Sequence, residues 1–109
     1  MPTPRPKTHV RILVVDDDRD MRESLVDLLE EAGYTVEAQH TGGEALAAAH
    51  RSRPDVLITD LVMSSMQGME VLRLAKQRDP TLAVVVITAF GTIESAVEAM
   101  RLGAFYYLT

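Results

Sequence analysis

Two periodicities of hydrophobic and polar positions alternate along the chain, with short apolar runs followed by segments of helical spacing. The apolar runs cover residues 10–15, 35–39, 56–59, 83–88 and 105–108. Between these runs the spacing predicts helices over residues 20–32, 43–52, 68–78 and 93–102. The chain is therefore predicted to contain four strand-and-helix units followed by a fifth strand.

Helix ends and inner faces can be predicted from the same pattern. Thr41, with Glu44 three residues later, has the spacing of a capping box, and Thr92 is the expected N-cap of the fourth helix. Gly103 is expected to end that helix. The spacing predicts these core-facing residues: Met21, Leu25, Leu28 and Leu29 in the first helix, and Ile93, Ala96, Val97 and Met100 in the fourth.

The strands are nearly continuous in apolar residues, which is typical of a parallel sheet covered by helices on both faces. We therefore expect an open, doubly wound α/β fold. A closed eight-stranded barrel would need about 250 residues, and the chain has 109. Three prolines within the first six residues predict an extended tail over residues 1–9, so that the domain covers residues 10–109.

Composition narrows the possible functions. Sixteen acidic residues against eleven lysines and arginines give a net charge of −5, which disfavours direct binding to nucleic acid or to an anionic membrane surface. The longest apolar run has six residues, far fewer than the roughly 20 that span a bilayer. The absence of cysteine excludes disulfides and thiolate metal sites, and it fits a cytoplasmic location.

Acidic side chains follow two of the predicted strands. Asp16 and Asp17 come directly after the first strand, Asp60 after the third, and Thr88 ends the fourth. Because the carboxyl ends of parallel strands share one edge of a sheet, these groups are expected to lie together, where ligands of such folds bind. Clustered carboxylates oppose folding unless a cation or a proton lies between them. The oxygen donors favour Mg²⁺ or Mn²⁺ over Zn²⁺.

Each of these residues also has a purely structural explanation. Asp18 and Asp20 fit the acidic N-terminus of a solvated helix. Asp60 taken alone could cap a loop, and Thr88 could be an ordinary β-branched strand end. The meeting of Asp60 with Asp16 and Asp17 at one edge favours a functional site.

Four segments together resemble the receiver domain of bacterial two-component response regulators. They are residues 12–18, 55–63, 67–72 and 86–91, with sequences ILVVDDD, DVLITDLVM, QGMEVL and VITAFG. Residues 88–109 further resemble the receivers of activators that work with sigma-54 RNA polymerase. The resemblance implies a flavodoxin-like sheet of strand order 2-1-3-4-5 and a regulatory domain that catalyses at most its own phosphorylation and dephosphorylation.

The resemblance also implies a phosphorylation site. Asp60 would accept a phosphoryl group from the phosphohistidine of a cognate sensor histidine kinase. Asp17 would bind Mg²⁺ directly, Asp16 would hold it through water, and the backbone carbonyl of Val62 would complete the protein ligands.

Two further residues are implied to form the switch. Thr88 would hydrogen-bond the phosphoryl group, and Tyr107 would change rotamer as Thr88 moves. The surface of the fourth helix and fifth strand would then pass the change to an output domain, with transcriptional regulation as the expected output.

The sequence departs from the family pattern at three places. Ser64 and Ser65 stand where receivers usually carry Pro-Gly or a similar pair, and Tyr106 stands where many relatives have Asp. The family's lysine and fifth helix would follow Thr109. We therefore expect a shortened domain with impaired phosphorylation or coupling, whose uncovered apolar surface leads to a homodimer or to domain-swapped self-association.

Two rival hypotheses remain. A receiver that serves only as a docking or dimerisation module would be insensitive to phosphate. A haloacid dehalogenase-type phosphatase would use Asp16 as its nucleophile, but that family needs a later lysine, and none follows Thr88 here.

Overall fold

A computed structural model of the chain describes residues 10–61, 68–88 and 91–108. Strands and helices alternate as the sequence predicts, and the predicted ends differ from the observed ones by one residue at most. The elements are β1 (Arg11–Val15), α1 (Arg19–Glu31), β2 (Thr35–Gln39), α2 (Gly42–Ser52), β3 (Val56–Asp60), α3 (Gly68–Arg78), β4 (Ala83–Ile87), α4 (Ile93–Arg101) and β5 (Tyr106–Leu108).

The five strands form one parallel sheet in the order β2-β1-β3-β4-β5. This confirms both the doubly wound α/β fold and the strand order implied by the resemblance. Thr59 of β3 lies beside Val86 of β4, which in turn lies beside Tyr107 of β5. The carboxyl ends of β1, β3 and β4 therefore meet at the same edge of the sheet.

Successive strand residues point to opposite faces and build two hydrophobic cores. The larger core, here called the α3-side core, contains Leu13, Leu57 and Val86 and is covered by residues of α2, α3 and α4. The smaller one, the α1-side core, contains Ile12, Val14 and Ile58, with Leu25 and Leu29 of α1 packed against it.

The α1-side face is less well covered at its β4 and β5 end. Val85 and Ile87 are only half-buried there, and Tyr106 and Leu108, which lie beside them in β5, are exposed. Among the described residues, this end of the sheet therefore carries exposed apolar side chains.

The predicted inner faces of two helices are partly wrong. Leu25 and Leu29 of α1 do pack on the sheet, but Met21 and Leu28 are 48% and 66% exposed. In α4 the error is larger: Ile93, Val97 and Met100 are all more than half exposed, and the buried residue is Ala99. Ala99 packs in the α3-side core, so the opposite side of the helix, with its large apolar side chains, points to solvent.

The predicted helix caps are largely confirmed. The side chain of Thr41 accepts a hydrogen bond from the amide of Glu44, but the Glu44 carboxylate accepts from the Thr41 hydroxyl rather than from the Thr41 amide, as a capping box would require. Thr92 caps α4, and Gly103 follows that helix with a φ of 102°, a conformation that favours glycine. Within the described parts of the chain, no helix is long and apolar enough to cross a membrane.

Candidate metal and phosphoryl site

Three carboxylates meet at the carboxyl edge of the sheet. Asp16 and Asp17 follow β1, Asp60 is the last residue of β3, and one oxygen from each lies within 4.8 Å of the others. Asp16 is buried, Asp60 is half-buried and Asp17 is exposed. The structure therefore brings together the three acids that the sequence places at this edge, and their all-oxygen donor set fits a hard divalent cation.

The loop between β1 and α1 is fixed by hydrogen bonds around Asp16. The Asp16 amide donates to the carbonyl of Gln39 at 3.2 Å, and the Asp16 carboxylate accepts from the amide of Asp18 at 2.9 Å. Arg22 of α1 donates from Nη1 to the Asp16 carbonyl at 2.8 Å. These bonds hold the backbone that carries Asp16 and Asp17 in one position.

Asp18 itself takes a structural role. Its side chain is the N-cap of α1 and accepts from the amides of Asp20 and Met21. This agrees with the helix-terminus explanation for Asp18, so among the described residues the carboxylate cluster consists of its two predecessors and Asp60.

Burial is the main influence on the pKa of the Asp16 carboxyl group. It raises the pKa of Asp16, and the nearby charges of Asp60, Asp17 and Asp18 raise it further, whereas the hydrogen bond from the Asp18 amide lowers it. The net direction is upward. A proton or a cation at this position is therefore favoured over a bare charge.

The segment around Asp60 is tightly packed. Thr59 donates from its hydroxyl to the Asp60 carbonyl at 2.9 Å, and the amide of Gly68 donates to the carbonyl of Leu61 at 2.8 Å. A Cβ at position 68 would overlap the Asp60 carbonyl oxygen and lie 2.7 Å from the Leu61 Cα. Because the start of α3 lies so close to the backbone of Asp60 and Leu61, position 68 requires glycine. The sequence pattern did not reveal this constraint.

Not every residue of the predicted site can be placed. Val62, the predicted carbonyl ligand, lies in residues 62–67, outside the described parts of the chain. Its role stays a prediction.

Thr88 and Tyr107 lie on neighbouring strands near the same edge. Thr88 is 3% exposed and follows Ile87, the residue that pairs with Asp60. Its amide donates to the Leu108 carbonyl at 3.0 Å, which extends the hydrogen bonding between β4 and β5. Tyr107 is half-buried against the α3-side core, so the two predicted switch residues are attached to the same pair of strands.

The Tyr107 hydroxyl also reaches α4. It lies 2.6 Å from the Oγ of Ser95, a residue that the sequence pattern does not mark as part of the site. The spacing of Thr92 and Ser95 would have been the available signal, because Ser95 completes the N-terminal cap of α4.

A cavity of about 350 Å³ lies away from the acidic edge, near the C-terminal ends of α2 and α3. Its lining includes His50, Arg53 and Arg78. Cations at helix C-termini are favoured by the helix dipole alone. The cavity therefore does not compete with the carboxylate cluster as a candidate site.

The fold and site together define a class of protein, a doubly wound α/β domain with an acidic group suited to a divalent cation at the carboxyl edge of its sheet. Within that class the chain belongs to the response regulator receiver domain family, whose model matches residues 12–109. The resemblance inferred from the motifs is thereby confirmed.

Relatives and solved structures agree with this assignment. The chain is 44% identical over 99 residues to "Response regulator MprA" of Mycobacterium ulcerans (strain Agy99), covering 91% of this chain and 43% of that protein. It is 42% identical over 97 residues to "DNA-binding transcriptional regulator NtrC" of Salmonella typhimurium (strain LT2), covering 89% of this chain and 21% of the relative. The chain thus spans less than half the length of either relative.

A solved structure of a response regulator protein from Burkholderia pseudomallei has a similar fold, with a TM-score of 0.86 and 29% identity. The match covers 91% of this chain and 58% of that one. That structure contains a phosphorylated aspartic acid, a calcium ion and citrate.

Proposed function

We propose that the chain is a phosphorylation-dependent switch in which Asp60 accepts a phosphoryl group from the phosphohistidine of a sensor histidine kinase. The observation that carries this proposal is the convergence of the Asp16, Asp17 and Asp60 carboxylates within 4.8 Å in a receiver-family domain. The phosphorylated aspartic acid in the Burkholderia protein supports it by analogy. The domain is then regulatory, and it catalyses at most its own phosphorylation and dephosphorylation.

In the proposed reaction an oxygen of the Asp60 carboxylate attacks phosphorus while the bond from phosphorus to the donor histidine nitrogen breaks. Asp60 thus becomes an acyl phosphate, and the histidine leaves with the bonding electron pair. Asp17 directly, Asp16 through water and the Val62 carbonyl would hold Mg²⁺ or Mn²⁺. The bound ion supplies neutralisation of charge on the phosphoryl oxygens.

Thr88 and Tyr107 are proposed to convert this modification into a change of surface. A phosphoryl group on Asp60 is a strong acceptor for the Thr88 hydroxyl, and a shift of Thr88 alters the space available to the Tyr107 ring. The exposed apolar residues Ile93 and Val97 of α4 support a readout surface formed by α4 and β5. An output domain that regulates transcription would bind there, in the cytoplasm and without direct contact between this domain and nucleic acid.

The test is labelling by acetyl phosphate in the presence of Mg²⁺. We expect the substitution Asp60→Asn to abolish incorporation of phosphate, while Asp20→Asn, which removes an exposed acid from α1, leaves it unchanged. Labelling of Asp60→Asn at unchanged stoichiometry would overturn the assignment, and phosphate mapped to Asp16 would point to phosphatase-type chemistry.

The second candidate function is that of a docking or dimerisation module that is insensitive to phosphorylation. The exposed apolar residues of α4 and β5 favour it. Homodimerisation or domain-swapped self-association would bury such surface. Beryllofluoride with Mg²⁺, which mimics an aspartyl phosphate, separates the two candidates. A spectral or oligomeric change supports the switch, and its absence supports the inert module.

A further inference from the structure

The N-terminal cap of α4 depends on an unusual residue. Thr92 Oγ1 accepts from the Ser95 amide at 3.0 Å, and Ser95 Oγ accepts from the Thr92 amide at 2.8 Å. Glu or Gln, with longer side chains, commonly occupies this third position of a capping box. Because serine is short, its hydroxyl stays close to the helix start, where a neighbouring strand can reach it.

The Ser95 hydroxyl has three hydrogen-bond partners, the Thr92 amide, the Thr92 carbonyl and the Tyr107 hydroxyl. A serine hydroxyl has one proton to donate and two lone pairs to accept. Ser95 Oγ accepts from the Thr92 amide and lies within donating distance of the Thr92 carbonyl, at 3.0 Å. It also lies 2.6 Å from the Tyr107 hydroxyl, and either hydroxyl can be the donor in that hydrogen bond.

The position of Tyr107 ties this contact to the rest of the site. Its ring packs against the α3-side core, and the next residue, Leu108, accepts the hydrogen bond from the Thr88 amide. A Tyr107 ring that leaves its place breaks its hydrogen bond with Ser95. The same hydroxyl then holds the cap with one partner fewer.

We propose that Ser95 is the positioning residue that joins Tyr107 to the N-terminal cap of α4, so that the packed tyrosine and the capped helix form one cooperative unit. The regulatory meaning of this unit rests on the proposed switch role of Tyr107. Coupling of this kind is reciprocal: whatever displaces Tyr107 loosens the start of α4, and a partner that binds the capped helix holds Tyr107 in place.

A double-mutant cycle on the 109-residue chain tests the coupling, with amide hydrogen exchange at positions 95 and 96 measured by NMR. Tyr107→Phe removes only the tyrosine hydroxyl, and Ser95→Ala removes the hydroxyl that it contacts. We expect Tyr107→Phe to accelerate exchange at these amides roughly 2- to 10-fold, the effect of losing one hydrogen bond. In the Ser95→Ala background, Tyr107→Phe should cause no further acceleration of exchange at these amides.

Two controls separate the coupling from general destabilisation. Tyr106→Phe alters the neighbouring, exposed tyrosine on the opposite face of β5 and should leave exchange at α4 unchanged. Ser95→Thr keeps a hydroxyl and should restore the sensitivity to Tyr107→Phe. Equal acceleration by Tyr107→Phe with and without Ser95, or no acceleration in either background, would overturn the proposal.

The cycle is measured without a phosphoryl group, so it is independent of the proposed function. Failure of acetyl phosphate to label Asp60 contradicts the function and leaves the measured coupling intact. Loss of the coupling contradicts the role of Ser95 and leaves phosphorylation of Asp60 intact.

Discussion

The guanidinium of Arg22 in α1 donates a hydrogen bond of 2.8 Å to the main-chain carbonyl of Asp16, a buried residue at the end of β1. The bond joins the first helix to the acidic edge of the sheet. The bond is made to the backbone of Asp16. It therefore positions the carboxylates of Asp16 and Asp17 without occupying a carboxylate oxygen of either residue.

We expect Arg22→Ala to destabilise the chain by about 1–3 kcal/mol, because it removes a charged donor from a partly buried carbonyl. Urea unfolding measures the loss. Arg19→Ala is the matched control, since Arg19 makes an exposed ion pair with Glu23 whose loss should change the free energy of unfolding by less than about 1 kcal/mol. Equal effects of the two substitutions would contradict the role of Arg22.

Asp16 is expected to make stability depend on pH. Its pKa is raised in the folded chain, so the folded state holds the proton more tightly than the unfolded state. The resulting stabilisation is complete below the unfolded pKa of about 3.9 and is lost as the pH rises through the folded pKa. Asp16→Asn should therefore stabilise the metal-free chain at pH 7, with the gain shrinking toward pH 4.

Added Mg²⁺ provides the check on this prediction. In thermal unfolding with and without the ion, the parent chain should gain more stability from Mg²⁺ than Asp16→Asn does, because binding to the folded state raises stability. An identical gain in both chains would show that Asp16 takes no part in holding the cation.

Gly68→Ala should disturb Asp60 through the backbone. The added methyl group overlaps the Asp60 carbonyl oxygen, so β3 and α3 must separate, at about 1–3 kcal/mol of stability. Labelling of Asp60 by acetyl phosphate should also fall. Gly43→Ala is the control: a Cβ there meets nothing within 4 Å, and the change should be neutral or stabilising by up to about 1 kcal/mol.

Self-association is expected to involve the α1-side face of β5. The double substitution Tyr106→Thr and Leu108→Thr removes two exposed apolar side chains and keeps β-branched residues in the strand. Sedimentation velocity should then show a shift toward monomer. Ile93→Thr removes an exposed side chain from α4 instead, and an equal shift with this variant would place the contact on α4.

The strands and the acidic cluster were predictable from the sequence for a physical reason. Near-continuous apolar runs specify buried parallel strands, and parallel strands bring Asp16, Asp17 and Asp60 to one edge whatever the loops do. The outward orientation of Ile93 and Val97 was not predictable, because helical spacing reveals an apolar stripe on a helix but not which element covers that stripe. The contact between Ser95 and Tyr107 joins two elements and leaves no periodic signal in the sequence.

Tyr107 is the middle residue of β5, a strand of three residues at the edge of the sheet. Few ladder bonds hold such a strand, whereas β1 and β3 are paired on both sides. Regions with few buried contacts open locally at much lower free energy than a protein's core. The strand that is proposed to move in the switch is therefore the one that can rearrange while the remaining four strands keep their structure, so the proposed signal would pass without global unfolding.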